Sequence, residues 1–227
     1  MLVVIDGAKA LRKAVRDVLG VHTPVQRCVR HKERNVLAHL PERDRPLVRR
    51  RLRAAWALDD HERALDQLRA LADELARGHP GAAASLREGI EETLTVTRLG
   101  VRGRLKRTLA STNPCESMIE TVRRVARNVK SWHNGDMCLR WTAAGMREAE
   151  AQFRRIIGHP DLAKLAVTVE RDVAAKRAAD TPAKTAHTPT ATAAPEVAAS
   201  PARDNFTHRI AVAKFHGDRD ILSLVQI

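Results

Sequence analysis

The chain has 227 residues, with 40 Lys and Arg against 27 Asp and Glu, and its formal net charge is +13. This excess of positive charge favours a polyanionic partner, of which nucleic acid is the commonest. Aromatic residues make up 3% of the chain and tyrosine is absent, so phosphate contacts are favoured over base stacking. No apolar stretch approaches the length of a membrane span, and three widely spaced cysteines indicate a reducing cytoplasm rather than a disulfide framework.

The first forty residues read as a strand-helix-strand unit followed by a helix over residues 31–40. Residues 2–5 form an apolar, β-branched run that predicts a buried strand, residues 8–19 predict an amphipathic helix, and residues 24–29 predict a second strand. Such a unit is parallel and right-handed, and functional groups gather just beyond the carboxyl ends of its strands. Asp6 and Cys28 occupy those two positions.

Helical spacing dominates the middle of the chain. Apolar residues recur at helical intervals over residues 47–56 and 65–75, and a third, weaker helix is predicted over 84–93. Residues 94–104 alternate irregularly and contain two glycines, so they are predicted to form an extended connection.

A capped helix begins in the stretch Ser-Thr-Asn-Pro-Cys-Glu-Ser at residues 111–117. Its first three residues are good N-caps, proline suits a first turn, and Glu116 is electrostatically favoured there. A helix over residues 137–157 and a short last helix over 161–171 are predicted next. Residues 173–227 are rich in Ala, Thr and Pro and are predicted to be a disordered linker and tail.

Each candidate site has a plain structural interpretation beside the functional one. Asp6 is either a metal ligand or the start of an Asp-Gly turn, and Glu116 is either a metal ligand or a helix-capping acid. Cys28 and His31 have the spacing of half a zinc site, but the matching half is missing. Basic runs are either solvated faces or a DNA-binding surface, and the ones that flank Glu116 are Arg104, Lys106, Arg107, Arg123, Arg124, Arg127 and Lys130. No phosphate-binding loop, nucleophile elbow or His-Glu-x-x-His motif occurs.

Four ordered motifs resemble the Mutator-type transposases of bacterial insertion sequences. They are Val-Ile-Asp-Gly-Ala-Lys-Ala-Leu from residue 4, Gln-Arg-Cys-Val-Arg-His-Lys-Glu-Arg-Asn-Val from residue 26, Leu40-Pro41, and residues 111–117. The resemblance extends over residues 2–172.

The resemblance implies an RNase H-like fold with an α-helical insertion and an Asp-Asp-Glu triad that binds Mg²⁺ or Mn²⁺. Asp6 then matches the second Asp and Glu116 the Glu, while Cys28, His31 and Asn113 belong to supporting motifs. The implied fold class is α/β and mostly helical: a partial RNase H-like core over residues 1–40, the insertion over 41–104, and catalytic helices over 105–172. The implied partners are DNA and a homo-oligomer or full-length transposase, in a nucleoid-associated, cytoplasmic bacterial setting.

The first Asp of the triad has no counterpart, so the resemblance implies a chain truncated at its N-terminus and inactive alone. We therefore keep as an alternative a non-catalytic, basic DNA-binding remnant that interferes with a full-length transposase. A helical scaffold with negligible DNA affinity is the third hypothesis. Without its preceding strands, the strand over residues 2–5 is expected to expose one edge and both faces.

Overall fold

The computed structural model describes residues 1–180 and two further strands, Ile210–Lys214 and Ser223–Gln226. Helices make up most of it, and a small sheet lies at the centre of one half of the molecule. The α/β, mostly helical class predicted from the sequence is therefore confirmed.

The N-terminal unit folds as predicted. Strand β1 (Leu2–Ile5) is followed by helix α1 (Lys9–Leu19) and strand β2 (Val25–Arg27). The two strands are parallel, with Val3 opposite Val25. One face of β1 packs against apolar residues of α1, and the other packs against later helices.

The outer edge of β1 carries two more strands. Strand β3 (Ile210–Lys214) pairs with β1 in parallel, and strand β4 (Ser223–Gln226) pairs with β3 in antiparallel, which gives the order β2-β1-β3-β4. The expected exposure of β1 is wrong, because every residue of Leu2–Ile5 is at most 1% exposed. The predicted disorder is also wrong for β3 and β4; the rest of 181–227 lies outside the described residues.

Three helices of the insertion share one apolar core with a helix from the first forty residues. In chain order these helices are α2 (Val29–Ala38), α3 (Arg45–Ala57), α4 (His61–Gly78) and α5 (Pro80–Arg87). The third helix predicted for the insertion begins four residues earlier than expected, because Pro80 occupies a first-turn position. The core is lined by Leu52, Leu65, Leu68, Leu71, Ala72 and Leu86, among others.

The predicted extended connection over residues 94–104 is wrong. A 3₁₀ turn (Glu91–Leu94) leads into the short helix α6 (Thr95–Arg98), and α7 (Gly103–Leu109) follows. Buried Gln26 of β2 explains this, since its amide donates to the Thr93 carbonyl (2.8 Å) and accepts from the Val96 N–H (2.9 Å). A side chain distant in sequence thus satisfies backbone groups that the local pattern left unassigned.

A helical hairpin follows, made of α8 (Asn113–Val125) and α9 (Gly135–Glu150), with a 3₁₀ turn at Ala126–Asn128 between them. A Cβ at Gly145 would lie 2.7 Å from Cα of Val122, so the close approach requires glycine.

The helix predicted over residues 137–157 is shorter in the structure, because α9 ends at Glu150. Its predicted apolar face is not a core face: Leu139 is 68% exposed and Phe153 is 53% exposed, whereas Ala149 is buried. The helix packs through its small residues instead.

The last helix of the described body, α10 (Leu162–Asp180), extends well past the predicted boundary at residue 173. Asp172 forms a bidentate ion pair with Arg98 and a second pair with Lys176 (3.0 Å). The Arg98 guanidinium lowers the pKa of the Asp172 carboxyl. Residues 173–180 therefore belong to the folded body rather than to a linker.

Two buried cations join the insertion to the end of β2. Arg27 donates to the Glu88 carbonyl (3.0 Å), and Lys32 donates to the carbonyls of Ser85 (2.6 Å) and Glu88. Burial, helped by the nearby Arg27 charge, lowers the pKa of Lys32 to about 8. Among the described residues, no helix has the length and hydropathy that crossing a bilayer requires.

Candidate functional site

Asp6 follows β1 directly, at the carboxyl end of the strand, as predicted. Its Oδ1 accepts a hydrogen bond from the Ala8 N–H (3.0 Å). Gly7 has a φ of +108°, and its carbonyl accepts from the Arg27 guanidinium (3.1 Å), which leaves no room for a side chain at this position. The turn that carries Asp6 is thus fixed from both sides.

The end of β2 is tied to the segment that begins α8. The Cys28 N–H donates to the Ile5 carbonyl (2.7 Å), and the Val29 N–H donates to the Ala110 carbonyl (2.9 Å). The Thr112 N–H donates to Sγ of Cys28 (3.4 Å). These contacts bring residues 84 positions apart together at the carboxyl edge of the sheet.

Glu116 points into this junction. Its Oε1 accepts a hydrogen bond from the Thr112 hydroxyl (2.8 Å) and lies 3.6 Å from Nδ1 of His31. The same hydroxyl lies 3.4 Å from Nδ1 of His31. Sequence reasoning missed this use of Thr112, which it assigned only as a helix cap.

The titratable groups of the junction influence one another. The hydrogen bond with Cys28 raises the pKa of His31 against the opposing effect of burial, and the charges of Cys28, Glu116 and Asp6 add to the increase. Burial by itself raises the pKa of the Cys28 thiol, but hydrogen bonds from His31 and Thr112 outweigh it and lower the pKa to about 7. Both candidate carboxylates therefore act electrostatically on one imidazole.

The donor set of the junction fits a hard cation. Asp6 and Glu116 are half-buried oxygen donors, and Mg²⁺ is commonly bound by one or two carboxylates together with substrate phosphates. Residues 1–180 contain no group of three or more His, Cys, Asp or Glu placed to hold a metal. A protein-only metal cage is therefore not built from the described part of the chain.

Asn113 lies outside this hydrogen-bonded junction. It is exposed at the first turn of α8, where it makes no capping hydrogen bond, and it lines a cleft of about 490 Å³. The structure shows no hydrogen bond between Asn113 and Asp6 or Glu116, so its supporting role stays a prediction.

The structure divides the predicted DNA-binding residues into two classes. Six of them are exposed and form no ion pair with any described residue: Arg104, Arg107, Arg123, Arg124, Arg127 and Lys130. The prediction that Lys106 binds DNA is wrong. Its side chain is buried and donates to the Leu58 carbonyl, and its Nζ lies 3.3 Å from the Asp59 carboxylate. Its ammonium joins α7 to the insertion and is not available to a phosphate.

Positive charge is concentrated on one part of the chain. Residues 41–98 contain 11 basic and 11 acidic side chains, whereas residues 99–160 contain 12 basic and 5 acidic ones. Arginines of the insertion are largely paired, as Arg51 is with Glu74 (2.7 Å) and Arg87 with Asp73 (2.8 Å). The unpaired positive charge thus flanks the Glu116 junction.

Comparison with known proteins agrees with the motifs. A family profile described as "Transposase, Mutator family" matches residues 1–156. The transposase for insertion sequence element IS6120 of Mycolicibacterium smegmatis is 31% identical over 54% of this chain and 37% of its own length. The transposase for insertion sequence element ISRM5 of Rhizobium meliloti is 32% identical over 63% of this chain and 35% of its own length.

A third relative, the transposase for element IS406 of Burkholderia multivorans, is 29% identical over 67% of this chain and 39% of its own length. The chain thus spans between 35% and 39% of the length of these three relatives.

Proposed function

Because this chain belongs to the Mutator family of transposases, we propose that it forms the catalytic part of an insertion-sequence transposase. Its substrate is DNA, which it cleaves and joins on the bacterial nucleoid in a metal-dependent reaction, as one subunit of an oligomer. The observation that carries the proposal is the placement of two carboxylates at the carboxyl edge of the sheet: Asp6 follows β1, and Glu116 lies beside His31 and Thr112, with exposed, unpaired arginines on the neighbouring helices. An RNase H-like core is part of the same proposal.

Asp6 and Glu116 would hold Mg²⁺ or Mn²⁺ in this proposal. Such cations would supply activation of the attacking oxygen and stabilisation of the leaving oxygen. Carboxylates suit this task because hard oxygen ligands match these ions.

The neighbouring groups position the Glu116 carboxylate. The Thr112 hydroxyl holds one carboxylate oxygen, and the nearby His31 provides positive charge when it is protonated. The Thr112 N–H is itself bonded to Sγ of Cys28, so the helix start is tied to the end of the strand. Preorganisation of this kind keeps a ligand within the narrow geometric range that catalysis needs.

The exposed arginines draw the DNA backbone to this edge. Each phosphate that they neutralise releases counterions, so we expect the affinity to fall steeply as salt concentration rises. Because the insertion between residues 41 and 98 is charge-balanced, the DNA should follow α7 and the α8–α9 hairpin rather than the insertion.

A second candidate function is DNA binding without catalysis. The absence of a third metal-ligating side chain among residues 1–180 favours it, since two carboxylates hold metal less firmly than three. In this case the chain would compete with a complete transposase for DNA ends. The isolated chain would then be a poor catalyst.

The deciding experiment incubates the purified full chain with DNA that carries the inverted ends of its element, in Mg²⁺ or Mn²⁺. Glu116→Gln is the test variant, and Glu120→Gln is its control, because Glu120 is exposed one turn further along α8. Cleavage or joining that Glu116→Gln abolishes and Glu120→Gln preserves supports the catalytic proposal. Salt-dependent binding without cleavage supports the second candidate, and negligible binding at physiological salt contradicts both.

A further inference from the structure

A cleft lies between α7 and the start of α8, one turn before Glu116, and its volume is about 490 Å³. Arg104, Arg107 and Thr108 line it from α7, and Ser111, Asn113 and Pro114 line it from the other side. The lining contains no acidic side chain, so the two guanidinium groups face no carboxylate inside the cleft.

Ser111 is the feature that distinguishes this cleft. It is 7% exposed, and its hydroxyl makes no hydrogen bond with any described residue. Among the described residues, no fully inaccessible side-chain oxygen or nitrogen lacks a partner, so the unpartnered Ser111 hydroxyl is open to the cleft that the residue lines. A ligand that offers an acceptor oxygen would satisfy it.

The start of α8 adds a third attraction for an anion. This helix is 13 residues long, and the N-terminus of such a helix carries about half a positive charge with unsatisfied N–H groups. Together with two unpaired arginines and the unpartnered hydroxyl of Ser111, it gives an arrangement complementary to a tetrahedral, negatively charged group.

Three other clefts with basic linings lack this combination. The cleft of about 230 Å³ beside α1 contains Glu91 and Glu92, which would repel an anion. The cleft of about 510 Å³ between the insertion and α7 contains Glu33 and Asp59, which would repel an anion. The cleft of about 620 Å³ along α8 contains Glu120 and has no buried polar side chain in its lining. The cleft around Ser111 is therefore the best candidate for an anion.

We propose that the cleft around Ser111 binds a single phosphate of the DNA backbone, next to the position held for cleavage. This inference rests on the proposed DNA substrate and deepens it by naming the subsite. Arg104 and Arg107 neutralise the phosphate, and the Ser111 hydroxyl donates a hydrogen bond to one of its oxygens. The contact fixes the register of the strand relative to Glu116.

The first test measures how DNA affinity depends on salt, in EDTA and with the full chain. Fluorescence anisotropy of a labelled duplex is followed from 50 to 300 mM KCl. Over this range the Debye length falls by a factor of about two. The double variant Arg104→Ala/Arg107→Ala should reduce the slope of log Kd against log salt by about 0.9, the value for one phosphate contact.

The matched control is Arg16→Ala/Arg50→Ala, which removes the same charge at two exposed, unpaired arginines outside the cleft. It should leave the slope unchanged. Equal slopes for the two double variants would overturn the inference.

The second test asks whether the phosphate is one particular phosphate. A single neutral methylphosphonate is moved along the terminal strand of the element's DNA, and Kd is measured for the wild-type chain and for Ser111→Ala. At one position the substitution should weaken the wild-type chain roughly tenfold and Ser111→Ala by a clearly smaller factor, because the variant has already lost the hydroxyl contact while its two arginines still lose the phosphate charge.

A set of positions at which both proteins respond equally would contradict the subsite. Thermal unfolding of Ser111→Ala verifies that the variant is folded, and Arg107→Glu provides a charge reversal at an exposed position if it is not. Neither test uses cleavage. A wild-type chain that binds with this coupling but does not cleave would retain the inference while the catalytic proposal fails, and a chain that binds no DNA would overturn both.

Discussion

The hydroxyl of Thr112 donates a hydrogen bond to Oε1 of Glu116 over 2.8 Å. The residue at the cap position of α8 thus holds the carboxylate of the first turn and makes no capping hydrogen bond with its side chain. Because its backbone N–H is bound to Cys28, the orientation of Glu116 depends on a contact with the end of β2.

The Thr112 hydroxyl can be removed with little change in shape. Thr112→Val should lower the free energy of unfolding by about 1 kcal/mol, since the residue is fully buried and its hydrogen bond is lost. Thr112→Ser keeps the hydroxyl and should retain the greater part of that energy. Urea unfolding followed by circular dichroism measures both, and a valine variant as stable as the serine variant would contradict the assigned contact.

Lys106 and Arg107 are adjacent in sequence and should respond in opposite ways. Lys106→Met should lower the free energy of unfolding by about 1–3 kcal/mol, because the Leu58 carbonyl loses its partner. Arg107→Ala should change stability by less than about 0.5 kcal/mol but weaken DNA binding, since its side chain is exposed and unpaired. Thermal unfolding and anisotropy on both variants test the pair; stronger DNA loss for Lys106→Met would refute the assignment.

The close approach of α8 and α9 predicts a strict requirement at Gly145. Gly145→Ala should cost about 1–3 kcal/mol, because the new Cβ would lie 2.7 Å from the Val122 backbone and the helices must separate. Gly135→Ala is the control, since a Cβ there meets no atom within 4 Å. Calorimetry on the two alanine variants gives the answer, and equal melting temperatures would exclude the tight contact.

Lys32 should make stability depend on pH in the alkaline range. Its folded pKa of about 8 lies below the ordinary lysine value of 10.5, so between these values the unfolded chain binds more protons and the free energy of unfolding rises with pH. The gain attributable to Lys32 is on the order of 3 kcal/mol across this range. Urea unfolding of the wild type and of Lys32→Met at pH 7.5, 8.5 and 9.5 measures this gain as the difference between their unfolding free energies at each pH. Parallel pH profiles would show that the lysine does not titrate in this way.

Local pattern was sufficient for the parallel unit at the N-terminus. The continuous apolar run of residues 2–5 and the helical spacing after it identified β1 and α1, and strand geometry then placed Asp6 and Cys28 at one edge. These features could be predicted because each depends on neighbouring residues and on the fixed handedness of such units.

Contacts between distant residues account for what was missed. Lys106 was grouped with its basic neighbours in the sequence. Consecutive helical residues point about 100° apart, however, and Lys106 is buried together with Leu105 and Leu109 of the same helix. Thr112 was assigned by its capping propensity, while the structure uses its hydroxyl for Glu116. The exposure of Leu139 follows from tight packing at Gly145, which apolar spacing alone does not reveal.

The pairing of β1 with β3 has a consequence for biosynthesis. Val212 is translated more than 200 residues after its partner Val4, at a rate of about 5–20 residues per second. During that interval β1 has one unpaired edge, which is a template for association with other chains. Chaperone capture of β1 is therefore expected until β3 has been synthesised.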